Sequence, residues 1–111
     1  MSGKPVVLRG LARRDIEEAV THYLSEASAS VALAFVDALE AASRHIGEHP
    51  ASGSQRYARE LDLPGMRSWV VRGFPYLIFY IEREAHVDVW RILHAARDIP
   101  AWLREPLEEG S

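Results

Sequence analysis

Apolar residues recur at intervals of three and four positions along two neighbouring stretches in the first half of the chain. The first stretch starts at Leu11, and Ser28 then interrupts the rhythm where it can act as the N-cap of a second helix. Because a proline restricts the residue before it, Pro50 should end that second helix near Glu48. The pattern predicts two antiparallel helices, with apolar stripes at Ala12, Ile16, Ala19, Val20, Tyr23, Leu24 and Ala27, and at Val31, Ala34, Phe35, Ala38, Leu39, Ala42 and Ile46.

Short apolar runs predict four strands around this pair of helices. The run Pro5–Arg9 precedes the helices, and Met66–Arg72, Pro75–Ile81 and His86–Leu93 follow them. The run Pro75–Ile81 is apolar at nearly every position, as expected for a central strand buried on both faces. In the last strand, strict alternation places Val87, Val89 and Leu93 on one face, and Asp88, Trp90, Ile92 and His94 on the other.

The remaining segments complete the predicted architecture. Turn-forming residues from Ala51 to Gly65 predict a surface loop, and Pro100–Leu103 predicts a short terminal helix. The order β-α-α-β-β-β(-α) predicts an α+β single domain, with the helical hairpin packed on a small, mostly antiparallel sheet. We expect this domain to span residues 1–104 and residues 105–111 to form an acidic C-terminal tail.

Composition narrows the chemistry that such a domain can perform. The chain of 111 residues contains no cysteine, which excludes a disulfide scaffold, a thiolate metal site and a cysteine nucleophile. No stretch approaches the roughly 18 apolar residues of a membrane span, and the N-terminus lacks a signal-peptide pattern, so we expect a cytoplasmic protein. A net charge of −3 argues against general nucleic-acid binding, although residues 66–97 carry five arginines against three acidic residues.

Arginines in the predicted strands are the first candidates for chemistry. Arg67, Arg72 and Arg91 could form a phosphate-binding cluster on adjacent strands, because a guanidinium matches phosphate geometry. Alternatively, Arg67 and Arg91 stabilise the sheet by pairing with carboxylates (Glu60, Asp62 or Asp88).

Histidines and one tyrosine each have a catalytic and a structural interpretation. His94 could transfer protons near neutral pH, or it could pair with Asp98 or a backbone carbonyl and fix the end of the strand. Tyr80 could face RNA, but in an apolar strand we expect it in the core. The segment from His45 to His49 matches the His-x-x-Glu-His zinc signature, yet its glycine and the proline after it disfavour a catalytic helix, so we predict a structural role and no metal site.

The element order and several local motifs resemble the RelE/ParE family of bacterial toxins. The resemblance extends over about residues 6–103. The similar segments, in chain order, are Asp15-Ile16 at the first helix, Ile46 to Pro50 with the following Gly53, Gly65-Met66-Arg67, Gly73-Phe74-Pro75-Tyr76 through Tyr80, and Val89 to His94 through Arg97-Asp98.

The resemblance implies one of two activities. The RelE branch cleaves mRNA on the ribosome, and its chemistry would here need some of Arg67, Arg72, Arg91, His94 and Arg97. That branch is usually strongly basic and often carries a tyrosine after the last strand, where this chain has Ala101-Trp102.

The ParE branch inhibits DNA gyrase by binding it, and the ending of this chain resembles that branch more closely. The resemblance then implies a target-binding segment containing Arg91, His94, Arg97, Trp102 and Leu103. It also implies a hetero-oligomer with a cognate antitoxin that has a DNA-binding N-terminal domain, without a cofactor, a metal, a membrane or direct nucleic-acid binding. A degenerate member that only binds its antitoxin is a further alternative.

Overall fold

The computed structural model describes residues 3–96, 99 and 101–103, which fold around one four-stranded sheet. The predicted α+β architecture with two long helices is confirmed. Residues 101–103 are helical, and the predicted tail, residues 105–111, lies outside the described residues. The elements are β1 (Val6–Leu8), α1 (Gly10–Glu26), α2 (Ala29–Glu48), α3 (Arg56–Leu61), β2 (Met66–Val70), β3 (Tyr76–Glu82) and β4 (Val87–His94).

The two long helices form as predicted, although Leu24, Ala27 and Ala34 of the predicted apolar stripes are exposed. The Ser28 hydroxyl accepts a hydrogen bond from the backbone N–H of Val31 at 3.2 Å, which caps the start of α2. The last helical residue is Glu48, two positions before Pro50. No described helix is both long and apolar enough to cross a membrane.

The strand order β1-β4-β3-β2 places β4 inside the sheet, parallel to β1 and antiparallel to β3. β1 pairs only with residues 87–89 of β4, so the second half of β4 runs on beyond the end of β1. One sheet face packs under α1 and α2 with Phe35, Ile46 and Tyr80 in its core. The other face is covered by α3 and by Ile99 and Leu103.

A β-bulge at Trp90 reverses the sheet face on which the residues after it in β4 lie. Tyr80 pairs with Val89, but the preceding residue of β3 pairs with Arg91, so Trp90 is the extra residue. Ile92 consequently joins Val89 in the core under the helices, whereas Leu93 joins Trp90 in the second core. The predicted faces of Ile92 and Leu93 are therefore wrong, because strict alternation assumes a strand without a bulge.

The predicted loop from Ala51 to Gly65 contains two short helical elements, which corrects that prediction. Residues Pro50–Ser52 form a 3₁₀ turn and Arg56–Leu61 form α3. Asp62 adopts the left-handed conformation (φ 53°) and ends α3. The reason for the error is that α3 is only 6 residues long, too short for helical periodicity to stand out from its turn-forming neighbours.

Tyr80 is a core residue, as predicted, and its hydroxyl anchors the 3₁₀ turn. The hydroxyl donates to the carbonyl of Pro50 at 2.9 Å and accepts from the N–H of Gly53 at 3.2 Å. Burial raises the pKa of Tyr80 above its ordinary value. A Cβ at Gly53 would lie 2.5 Å from this hydroxyl, so only glycine fits that position without a shift.

Candidate functional site

A buried ion pair lies where β4 extends beyond β1. Arg91 is 2% exposed, and its Nε and Nη2 donate to the two carboxylate oxygens of Asp15 on α1, each at 2.8 Å. The Asp15 carboxylate also accepts the backbone N–H of Ile92 at 2.9 Å, at a position where no β1 residue pairs with the strand. Asp15 thus replaces the missing neighbouring strand and neutralises Arg91 at once.

The same guanidinium holds the segment that follows the sheet. Arg91 Nη1 donates to the carbonyl of Trp102 at 3.0 Å, and the Arg91 guanidinium carbon lies 5.4 Å from the centre of the Trp102 ring. Leu103 is fully buried in the second core, whereas the Trp102 side chain remains partly exposed. Of the residues expected to bind a target, Arg91 and Leu103 therefore support the segment and Trp102 lies at the surface.

His94 fixes the turn after β4 by a contact that the sequence did not predict. Its Nδ1 accepts a hydrogen bond from the backbone N–H of Ala96 at 3.0 Å. The centres of the His94 and Tyr76 rings lie 5.2 Å apart in an edge-to-face contact. The observed partner is a backbone amide, in place of the expected carbonyl, while Asp98 and Arg97 lie outside the described residues. Since Nδ1 accepts, a neutral His94 carries its proton on Nε2.

The arginines proposed as a phosphate-binding cluster lie in three different environments. Arg67 Nη1 donates to the carbonyl of Gly53 at 2.9 Å. Arg72 is exposed beyond the end of β2, beside Trp69 and His45. Arg91 is buried on β4, which β3 separates from β2. Asp15 occupies Nε and Nη2 of Arg91, so a phosphate would have to displace that carboxylate to bind the same two nitrogens.

Two of the carboxylates expected to pair with these arginines have other partners, and Glu60 pairs with Arg56 at 3.5 Å. Asp88 accepts from Arg9 at 3.0 Å and 3.1 Å and from Arg83 at 3.0 Å. Burial alone would raise the pKa of Asp88, but the hydrogen bonds and charges of Arg9 and Arg83 outweigh it and lower the pKa. Arg91 thus pairs with a carboxylate, as the structural alternative predicted, but with Asp15 in place of Asp88, and the Arg67 guanidinium bonds a backbone carbonyl in place of a carboxylate. Sequence alone does not show that β1 brings Arg9 beside Asp88.

The histidines of the zinc-like motif make structural contacts. His45 stacks on Trp69 with ring centres 4.1 Å apart, and its Nε2 lies 3.0 Å from the Ser52 hydroxyl. That hydroxyl donates to the carbonyl of His49 at 2.7 Å, so it accepts from His45. Within the described part of the chain, no group of three or more His, Cys, Asp or Glu side chains could hold a metal ion.

Sequence reasoning missed the buried role of Asp15, although the sequence contains a signal for it. Asp15 lies three positions after Ala12 and four before Ala19, both of which are buried on α1. A carboxylate on the buried stripe of a helix requires a cationic or hydrogen-bonding partner inside the protein. That signal could have identified Asp15 as half of a buried pair.

Comparisons with known proteins identify the family to which this fold belongs. A solved structure described as the chromosomal ParDE TA system from P. aeruginosa is similar, with a TM-score of 0.69 and 15% identity over 82% of this chain and 95% of that one. At this identity the likeness shows the fold alone. No curated protein sequence matches the chain. The family model described as the ParE toxin of the type II toxin–antitoxin system, parDE, matches residues 6–99, and the chain therefore belongs to the ParE toxin family.

Proposed function

We propose that this chain inhibits DNA gyrase in the cytoplasm and is neutralised by a cognate antitoxin. Membership of the ParE family supports the proposal. The observation that carries it is the burial of Arg91 against Asp15, with Trp102 held over the guanidinium. In this arrangement the buried Arg91 positions a surface segment and is not available to a phosphate, which suits protein binding better than phosphate chemistry.

The ribonuclease alternative has less support. Cleavage of RNA would need cationic side chains close together beside a group that transfers a proton. Arg67 donates to Gly53, Arg91 pairs with Asp15, and the Nδ1 of His94 is bound to a backbone amide. Each of these groups is occupied by a structural contact, and Arg67 on β2 is separated by β3 from the other two on β4.

The apolar grooves beside α2 support an antitoxin that covers the helices and the sheet. One groove of about 540 Å³ lies between α1 and α2 and is lined by Ile16 and Leu39. A second, also about 540 Å³, lies between α2 and β2 beside Trp69 and Val70. Val70 is 54% exposed, and apolar surface of this kind is suited to a partner segment. We expect the antitoxin to bury on the order of 2,000 Å² or more.

The decisive experiment measures gyrase supercoiling and in-vitro translation with the same purified chain. We expect inhibition of supercoiling without cleavage of mRNA in the translation reaction. Ribosome-dependent cleavage of mRNA would instead establish the ribonuclease alternative. A folded chain that binds its antitoxin but affects neither reaction would be a degenerate member of the family.

One substitution, compared with a control, distinguishes the target surface from the antitoxin surface. Trp102→Ala removes a partly exposed aromatic side chain, a type whose loss from an interface commonly costs about 2 kcal/mol or more in binding. It should weaken gyrase inhibition and leave antitoxin binding largely unchanged. Leu33→Ala is the control, because Leu33 is a 66% exposed apolar residue on α2. Equal loss of antitoxin and gyrase binding by Trp102→Ala would show that the segment is structural.

The neighbouring reading frame tests the antitoxin. We expect a small adjacent gene whose product has a DNA-binding N-terminal domain and forms a hetero-oligomer with this chain. Co-expression should relieve growth inhibition and keep the toxin in solution. A neighbour whose product neither binds the chain nor relieves its effect on growth would contradict this part of the proposal.

A further inference from the structure

A small pocket lies between α1 and the end of β4, separate from the apolar grooves beside α2. It exists because β1 ends at Leu8 and leaves α1 facing the second half of β4. Its volume is about 230 Å³, below the roughly 300–1,000 Å³ of typical small-molecule sites. This size suits one long side chain of a partner protein. The residues that give the pocket its chemistry are Asp15, Glu18, His22, Tyr76, His94 and Trp102.

The charged groups of the pocket favour a cation. Asp15 is already neutralised by Arg91 and by the N–H of Ile92. Glu18 follows it by one turn of α1 and is exposed, and among the described residues it has no ion-pair partner. The pocket thus has one carboxylate that is available to a cation arriving from solvent.

The aromatic rings of the pocket favour a planar cation. The Tyr76 and His94 rings meet edge to face at 75°, and Trp102 also lines the pocket. Aromatic faces attract cations, and a guanidinium also stacks on them, which an ammonium does not. Arg91 already makes such a contact with Trp102 from within the protein, at 5.4 Å.

We propose that this pocket receives an arginine side chain of the target protein, whose guanidinium pairs with Glu18 beside the rings of Tyr76, His94 and Trp102. The proposal rests on the proposed function in one respect: the arginine is supplied by the target protein. The pocket itself can be tested without any target. Glu18 is then a specificity-determining residue on α1, a helix outside the C-terminal segment.

The direct test titrates the full chain, labelled with ¹⁵N, with Nα-acetyl-arginine amide and follows its NMR spectrum. We expect saturable shifts at Glu18, at His94 and at the Trp102 indole, with a dissociation constant in the millimolar range for so small a probe. Nα-acetyl-citrulline amide is neutral and nearly isosteric, and it should bind at least about tenfold more weakly. Equal binding of both probes, or no saturable shift at these residues, would overturn the proposal.

Matched variants connect the pocket to inhibition. Glu18→Gln should reduce arginine-probe affinity and raise the concentration needed to inhibit gyrase, each by about tenfold, as expected for the loss of a charged hydrogen bond. Glu17→Gln makes the same change of charge at an exposed neighbour that does not line the pocket, and both values should remain unchanged. Equal effects of the two substitutions would overturn the assignment of Glu18.

The two proposals fail in distinguishable ways. If the wild-type chain binds the arginine probe in a Glu18-dependent manner but does not inhibit gyrase, the arginine pocket is supported and gyrase is not the target. If the Glu18→Gln variant inhibits gyrase as well as the wild-type chain does, the pocket does not bind the target, and the proposal that gyrase is the target still stands.

Discussion

Replacing Asp15 with alanine should destabilise the fold far more than an alanine substitution at an exposed position of α1. The substitution leaves the Arg91 guanidinium at 2% exposure without a carboxylate, and it leaves the N–H of Ile92 without its acceptor. Breaking a buried pair from one side costs about 3–5 kcal/mol, and an unsatisfied buried N–H costs about 1–3 kcal/mol. Because the two costs overlap, we expect a loss of about 4–6 kcal/mol. That is a large part of the roughly 5–15 kcal/mol that stabilises a typical domain.

Urea unfolding of a double-mutant cycle tests this reasoning. Asp15→Leu, Arg91→Met and the double variant should show a coupling energy of about 2 kcal/mol or more, because an apolar pair no longer leaves a buried charge unpaired. Tryptophan fluorescence should report the release of Trp102 in either single variant. Glu17→Ala is the control and should change the free energy of unfolding by less than about 0.5 kcal/mol. A loss below about 1 kcal/mol for Asp15→Ala, or additive effects in the cycle, would show that Asp15 and Arg91 are not energetically coupled in a water-free site.

The packing around the sheet supports three further predictions. Tyr80→Phe removes the hydroxyl that bonds the 3₁₀ turn, so urea unfolding should show a loss of about 1–3 kcal/mol, and a loss near zero would mean that water replaces the hydroxyl. Gly53→Ala should lower the melting temperature, and less so in the Tyr80→Phe background, because its Cβ would lie 2.5 Å from that hydroxyl; an unchanged effect would contradict the contact. The lowered pKa of Asp88 means that its contribution to stability is complete well above the ordinary value of 3.8 and is lost as the pH falls through the lower folded value. Asp88→Asn should therefore destabilise the chain more at pH 7 than at about pH 3, and an equal effect at both would show that the carboxylate is not stabilised by its arginines.

The sequence predicted the elements whose signals are local. The bounds of α2 follow from an apolar stripe, a serine N-cap and a proline shortly after the end, all within about twenty residues. The predicted bounds of the four strands agree with the structure to within two residues, again because the signals of a strand are local. α3 was missed because its turn-forming neighbours obscure a pattern of only 6 residues.

The candidate site was predicted less well because its contacts are not local. Arg91 and Asp15 are separated by 76 positions, and nothing in either neighbourhood specifies the other. The bulge at Trp90 likewise depends on how β3 and β4 align, which strict alternation along one strand does not show. The C-terminal segment was predicted as a target-binding segment, and no local pattern indicates that Arg91 holds it from beneath.

The roles of Arg91 and Trp102 explain why the two residues must be distinguished in any functional study. Among the described residues, Arg91 donates in a fixed fork to both carboxylate oxygens of Asp15 and to the Trp102 carbonyl, and no lysine can reproduce that geometry. A loss of inhibition on replacing Arg91 therefore reports displacement of the segment as readily as it would report a lost contact with a target. Trp102 has its carbonyl tied to the sheet and its ring partly exposed, so truncating its side chain leaves the backbone anchor in place. Only the loss caused by Trp102→Ala in a chain of undiminished stability can be assigned to the target interface itself.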